Sequence, residues 1–144
     1  MLIRPAEAWD IPAIHDIEQK CFSTPWGREG IESELAYENG RMLVAEEENR
    51  AVGYVSLRFV LDEGYLNNIA VLPDWQRRGI GRALLNALKD EACELGLSFL
   101  TLEVRAGNEP AKALYRSLGY EMTGRRRRFY RYPEEDALLY TLTL

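Results

Sequence analysis

The stretch Gln76-Arg77-Arg78-Gly79-Ile80-Gly81, followed at once by a helical pattern, is the part of this chain best suited to hold a phosphate. A helix N-terminus leaves its first amide N–H groups without intrahelical partners, and its dipole favours an anion there. Gly79 and Gly81 let a ligand approach the main chain with no Cβ in the way. The amides of Arg77, Gly79, Ile80, Gly81 and Arg82 are expected to grip a pyrophosphate, and the side chains of Arg77, Arg78 and Arg82 add charge. A mononucleotide P-loop needs Lys and then Ser or Thr after its last glycine. Here Gly81 is followed by Arg82 and Ala83, which excludes it. A dinucleotide fingerprint finds two glycines and, roughly 20 residues on, an acid at Glu103. Against it, Leu84 occupies the third glycine position, and Pro73 stands between the strand and the first glycine. Six residues alone do not choose among phosphate-bearing ligands.

Other residues could move protons or wall a slot. Glu103 shares a strand face with Thr101 and Arg105, opposite Leu102 and Val104. Asn108 and Tyr115 fall on nearly one helical stripe, with Leu114 and Leu118 toward the core. From residue type alone, each also has a plain structural role: a carboxylate paired with Arg105, a helix cap and a packing aromatic. Trp26, Tyr130 and Tyr132 either line an acceptor slot or cover the core edge. Arg125 to Arg128 form an unbroken basic run with Arg131 just beyond. It reads as a charged guard on an outer strand or as a docking face for an acidic or RNA-rich target. His15, the only histidine, lies beside an apolar stripe and has no triad or metal partner in sequence.

These residues need elements to position them. Met1 to Pro5 reads as a strand. Asp10 is placed to cap a helix through Lys20, with Ile11, Ile14, Ile17 and Cys21 on one side. A second helix is expected from Glu29 to Tyr37. Strands follow at Arg41 to Glu46 and Ala51 to Val60, with a turn at Glu48 and Asn49, and a third at Tyr65 to Leu72. Ile80, Leu84, Ala87, Leu88 and Leu95 repeat at helical spacing, and Gly96 stops that helix. Ser98 to Val104 is a strand, Pro110 opens a short helix that Gly119 ends, and strands near Tyr120 to Arg127 and Ala137 to Leu144 close the chain. The unit of strand from Tyr65, helix from Gly79 and strand from Ser98 makes its two strands parallel. The flanking strands read as antiparallel, which gives a mixed α/β class.

Length and composition bound the rest. One domain spanning residues 1–144 is expected, and the 47% hydrophobic and 28% charged fractions are ordinary for a globular protein. No apolar run approaches the ~20 residues of a membrane span, and the N-terminus lacks a signal-peptide core. A cytoplasmic protein is expected, with Cys21 and Cys93 as reduced structural thiols. A net charge of −5 argues against broad nucleic-acid binding and suits a cationic acceptor such as an amine.

In its context the phosphate loop resembles that of the GNAT superfamily of acyl-CoA-dependent N-acetyltransferases. That family's loop is Gln or Arg, two residues, Gly, one residue, Gly or Ala, which Gln76 to Gly81 match. Its downstream Asn, Ala, Tyr and Gly-aromatic pattern matches NEPAKALYRSLGY, Asn108 to Tyr120. NIAV, LEVRAGN, EDA and the pair Pro25-Trp26 are most similar to the RimI-type ribosomal-protein-alanine N-acetyltransferases. The likeness covers nearly the whole chain. It departs at RRFYRYP, where the family usually has two adjacent tyrosines after its arginine, and at Tyr140, where Met is common.

The resemblance implies a GNAT-like fold: a twisted, mostly antiparallel sheet of about seven strands, a splayed parallel βαβ centre and about four helices. It implies acetyl-CoA as co-substrate, with the main chain of Ile69, Ala70 and Val71 pairing with the pantetheine arm. Asn108 joins the cofactor site, Glu103 is the general base and Tyr115 the general acid toward the CoA thiolate. Trp26, Tyr130 and Tyr132 face the acceptor. The reaction needs no metal and no nucleophilic side chain. The implied acceptor is a protein N-terminal amine, an alanine of a small-subunit ribosomal protein. A monomer or weak homodimer is expected, without membrane or direct nucleic-acid binding. Two rivals share the cofactor: a small-amine acetyltransferase, and a CoA-binding sensor without catalysis. The presence of both Glu103 and Tyr115 argues against the sensor.

Overall fold

The computed structural model describes all residues, Met1 to Leu144. Seven strands form one sheet: β1 (Leu2–Pro5), β2 (Gly40–Glu47), β3 (Arg50–Val60), β4 (Glu63–Val71), β5 (Phe99–Arg105), β6 (Glu121–Tyr130) and β7 (Glu135–Thr143). Their spatial order is β1-β2-β3-β4-β5-β7-β6, and only β4 and β5 run parallel. Four helices cover the faces: α1 (Ile11–Cys21), α2 (Arg28–Ala36), α3 (Ile80–Glu94) and α4 (Glu109–Ser117). This is the mixed sheet with a parallel centre that the sequence predicts, with boundaries shifted by one to three residues. No helix is long and apolar enough to cross a membrane.

β3 is buried without interruption from Ala51 to Leu57, where a half-exposed strand would alternate. Both of its faces are covered. Tyr54 and Ser56 point to α1 and α2, where they bond Glu18 and Glu34. Gly53 faces α3, because a Cβ there would stand 3.3 Å from Ile80. The α3 stripe sinks Ile80, Leu84, Leu85, Leu88 and Ala92 into the core. Ala87 and Leu95, expected on that stripe, pack at its edge.

The sheet opens at its centre. β4 and β5 pair only from Glu63 opposite Phe99 to Tyr65 opposite Thr101. Gly64 allows their close approach, since a Cβ there would meet Leu100 at 2.8 Å and Leu97 at 2.9 Å. Just beyond, β4 carries a bulge. Leu66 faces Leu57 and Asn68 faces Ser56, which leaves Asn67 as an extra residue. A bulge bends its strand and raises the local twist, so β4 turns away from β5.

Some expectations fail locally. Asp10 precedes α1 but does not cap it. Its carboxylate accepts from both terminal nitrogens of Arg4 at 2.8 Å and from the Glu7 amide at 2.8 Å. Burial alone would push its pKa up; the Arg4 bonds and the Glu7 amide prevail and hold it below the usual aspartate value. Cys93 is exposed on α3, so only half-buried Cys21 is a structural thiol; neither is in a disulfide. On α4, Tyr115 is the buried residue, and Leu114 and Leu118 are only half-buried. The run Arg125 to Arg128 lies on the edge strand with all four side chains at the surface.

Candidate active site

Where β4 and β5 part, a cavity of about 940 Å³ opens. It gathers Trp26, Ile69, Glu103, Asn108, Tyr115, Tyr130 and Tyr132, seven of the residues singled out from sequence. The rest, Ala70, Val71 and Arg77 to Arg82, continue past the cavity along β4 and into the loop before α3.

The three β4 residues are not equivalent. Leu72 donates its N–H to Val52 of β3 at 2.8 Å. Backbone groups alternate in direction along a strand, so Ala70 also turns its main chain to β3, opposite Tyr54. Ile69 and Val71 alone present theirs to the gap. The Val71 carbonyl already accepts from Cys21 Sγ at 3.3 Å and from Gln76 Nε2 at 3.0 Å. Gln76 thereby ties the loop to the end of β4.

The loop reaches α3 through two left-handed residues, Arg77 (φ 63°) and Gly79 (φ 80°). The first main-chain bond after the turn runs from Ala83 N–H to the Gly79 carbonyl at 3.0 Å. The amides of Arg77, Arg78, Gly79, Ile80, Gly81 and Arg82 therefore donate to no acceptor within the protein. Six consecutive free amides at a helix start form an anion cradle. Two of the arginine side chains are engaged within the protein. Arg78 lies over the Trp75 ring at 4.6 Å and donates to the Asp74 carbonyl at 3.0 Å. Arg82 donates to Ser117 Oγ on α4 at 2.9 Å.

Glu103 and Tyr115 reach the cavity from β5 and α4. The partner of Glu103 is Arg126 of β6, with Nε 3.3 Å from Oε1. The alternative of a pair with Arg105 does not form. Arg105 instead bonds Glu135 at 3.2 Å and the carbonyls of Pro133 and Arg131, and stacks over Tyr130 at 4.5 Å. The Tyr115 ring packs between Tyr120 and Tyr140, with ring centres 5.8 and 6.3 Å away; its hydroxyl makes no hydrogen bond within the protein, and the neighbouring Tyr120 hydroxyl is buried without a partner. Burial above all, with Tyr120 and Tyr130 adding, holds the Tyr115 pKa well above the usual tyrosine value, so it stays a proton donor. Asn108 caps α4 by accepting the Ala111 N–H at 3.3 Å, and it also lines the cavity.

Two buried acids were missed from sequence. Glu18 of α1 accepts from the Trp26 N–H at 2.8 Å, from Asn68 Nδ2 at 3.2 Å and from the Tyr54 hydroxyl. Glu34 of α2 accepts from Asn67 Nδ2 at 2.7 Å, from Ser56 and from Arg58. The bulge turns Asn67 and Asn68 to the same side, so each helix takes one. Glu18 also joins the loop that carries Trp26 to the strand that flanks the gap. A signal was present: Glu18 lies four residues after Ile14 and Glu34 three after Ile31, which puts both acids on apolar stripes.

Comparison with known proteins places this geometry among relatives. The model of the acetyltransferase (GNAT) family matches residues 11–120. The chain is 39% identical over 146 residues to the [ribosomal protein bS18]-alanine N-acetyltransferase of Escherichia coli strain K12, covering 99% of this chain and 97% of that protein. It is 41% identical over 140 residues to its namesake from Salmonella typhimurium strain LT2, covering 94% and 92%. The crystal structure of the ribosomal-protein-S18-alanine N-acetyltransferase from Escherichia coli superposes with a TM-score of 0.92, covering 99% of this chain and 92% of that one.

Proposed function

The chain belongs to the acetyltransferase (GNAT) family, and we propose that it moves an acetyl group from acetyl-CoA to the α-amino group of a protein N-terminus. The acceptor we infer is an alanine at the start of ribosomal protein bS18, for which its Escherichia coli relative is named. Such an acceptor would put the reaction in the cytoplasm. One observation carries the reading: six free amides lie at one end of a split sheet, and Glu103 and Tyr115 line the cavity at the split.

Acetyl-CoA supplies a thioester. The amides of Arg77 to Arg82 would hold its pyrophosphate, and the open edges of Ile69 and Val71 its pantetheine arm, as one strand holds another. Asn108 would add a polar contact there. The residues fit this ligand: the donors are unpaired, the edge is open and the Tyr115 hydroxyl has no competing partner.

Glu103 takes a proton from the acceptor ammonium, directly or through water. An α-amine has a pKa near 8, so at neutral pH this costs only about 1–1.5 kcal/mol, against roughly 4–5 kcal/mol for a lysine side chain. A carboxylate base is adequate for a protein N-terminus. Tyr115 donates its proton to the departing thiolate. Trp26, Tyr130 and Tyr132 wall the approach for the peptide. Burial, aided by the Glu103 carboxylate and opposed by Arg105, pushes the Tyr130 pKa up to about 12, so it remains a neutral wall.

The test is thiol release from acetyl-CoA with a panel of short peptides and small amines. Turnover on alanine-first peptides is expected. Turnover restricted to small amines would move the acceptor to another class, and tight CoA binding without turnover would leave a sensor.

A further inference from the structure

We propose that Arg126 is a positioning residue for the acceptor: it pairs with the Glu103 carboxylate at the cavity and, as a cation there, disfavours the protonated form of the entering amine. This rests on the reading of Glu103 as the proton acceptor.

The placement is specific. Arg126 leaves the edge strand opposite Ala137, and Glu103 leaves β5 opposite Leu139. The Arg126 side chain therefore crosses β7, over the cavity-lining Leu139, to reach Glu103. Its hold is loose. The contact has ion-pair distance without hydrogen-bond alignment, the Phe129 ring lies 5.8 Å off, and the side chain is 56% exposed. Other paired arginines are better anchored. Arg105 has an acid, two carbonyls and a ring, and Arg4 has two acids.

An ammonium entering beside Glu103 meets a carboxylate that already has a cation. Two like charges at one carboxylate oppose each other. Guanidinium does not release its proton near neutral pH, so the amine is the cation that yields. Its proton passes to Glu103, the N–H bond breaks to leave the lone pair on nitrogen, and the pair Arg126–Glu103 dissolves. Arg126 then moves toward solvent at little cost, because exposed pairs are weak.

No other group facing the site supplies this charge change. Arg105 is engaged by Glu135. Cys21 is raised by burial and by the Glu18 and Asp16 carboxylates. Tyr65 is raised by its bond to Glu63. Tyr115 and Tyr130 are raised by burial. Arg131 and Tyr132 stand in the loop at the mouth.

The experiment compares wild type, Arg126→Gln, Arg126→Lys and Glu103→Gln on an alanine-first peptide from pH 6 to 10. For Arg126→Gln, the acceptor KM should fall about 2- to 5-fold, and kcat at neutral pH about 3- to 10-fold. The rising limb of kcat should move up by about half a pH unit or more. The KM for acetyl-CoA should stay put, and Arg126→Lys should restore the limb. A merely structural Arg126 would move neither the limb nor the KM ratio, and that result overturns the proposal. Wild-type turnover by Glu103→Gln would instead remove the reading beneath it.

Discussion

At the Gly79 end of the split sheet the donors are main-chain amides, whereas at the Trp26 end the groups proposed to meet the acceptor are side chains. The first end is set by backbone angles: left-handed Arg77 and Gly79, and a helix that starts too late to use its own amides. The second is set by suspension. Trp26 hangs from buried Glu18, Tyr130 is stacked by Arg105, and Glu103 leans on a half-exposed arginine. Main-chain sites tolerate changes of side chain and resist changes of angle. Side-chain sites behave the other way round, so a family could keep its cofactor and alter its acceptor by changing the second end.

The sharpest way to test this contrast is at the reacting groups between the two ends. Glu103→Gln and Tyr115→Phe should each reduce turnover by ~10²–10⁴, while the melting temperature and the KM for acetyl-CoA stay close to wild type. A near-normal rate in either variant would take that residue out of the chemistry.

Next in size is the anchor of the acceptor end. Glu18→Ala takes the acceptor from the part-buried Trp26 N–H and from the buried Tyr54 hydroxyl, which keeps only its bond from Asn68 Nδ2 at 3.2 Å. It should cost about 3 kcal/mol in urea unfolding. It should also raise the acceptor KM more than the acetyl-CoA KM. Equal changes in both constants would mean that Glu18 supports the fold generally and not one end.

The smallest effects compare angle with charge at the phosphate loop. Gly79→Ala forces a Cβ into a left-handed position and should cost about 1–2 kcal/mol, with weaker acetyl-CoA binding by calorimetry. Arg77→Gly removes a charge and eases the backbone, and should change affinity less than ~3-fold. A larger loss from Arg77→Gly than from Gly79→Ala would sink the main-chain account of this end.

The same contrast explains what could be read in advance. The run of free amides before α3 was legible because glycines and a helix start leave marks in sequence. The order of elements was legible from periodicity, and the parallel centre from the strand-helix-strand spacing. The bulge at Asn67 left no such mark, and neither did the alternation that turns Ala70 toward β3. The partner of Glu103 was not legible: Arg105 is near in sequence, while Arg126 arrives across β7. Asp10 resembled a helix cap, yet Arg4, six residues away, offered its carboxylate a stronger pair of bonds. Tertiary neighbours decided each of these cases, and neighbours of that kind are not visible in local spacing.

The brief pairing of β4 with β5, three residues on each side, makes the sheet a jaw hinged at one end. Its aperture is fixed from behind by the hydrophobic seat of α3, the helix that links the two blades. Shaving Leu84 or Leu88 would slacken that hinge and change the gape from deep inside the molecule, so the width of the split depends on side chains that do not line it.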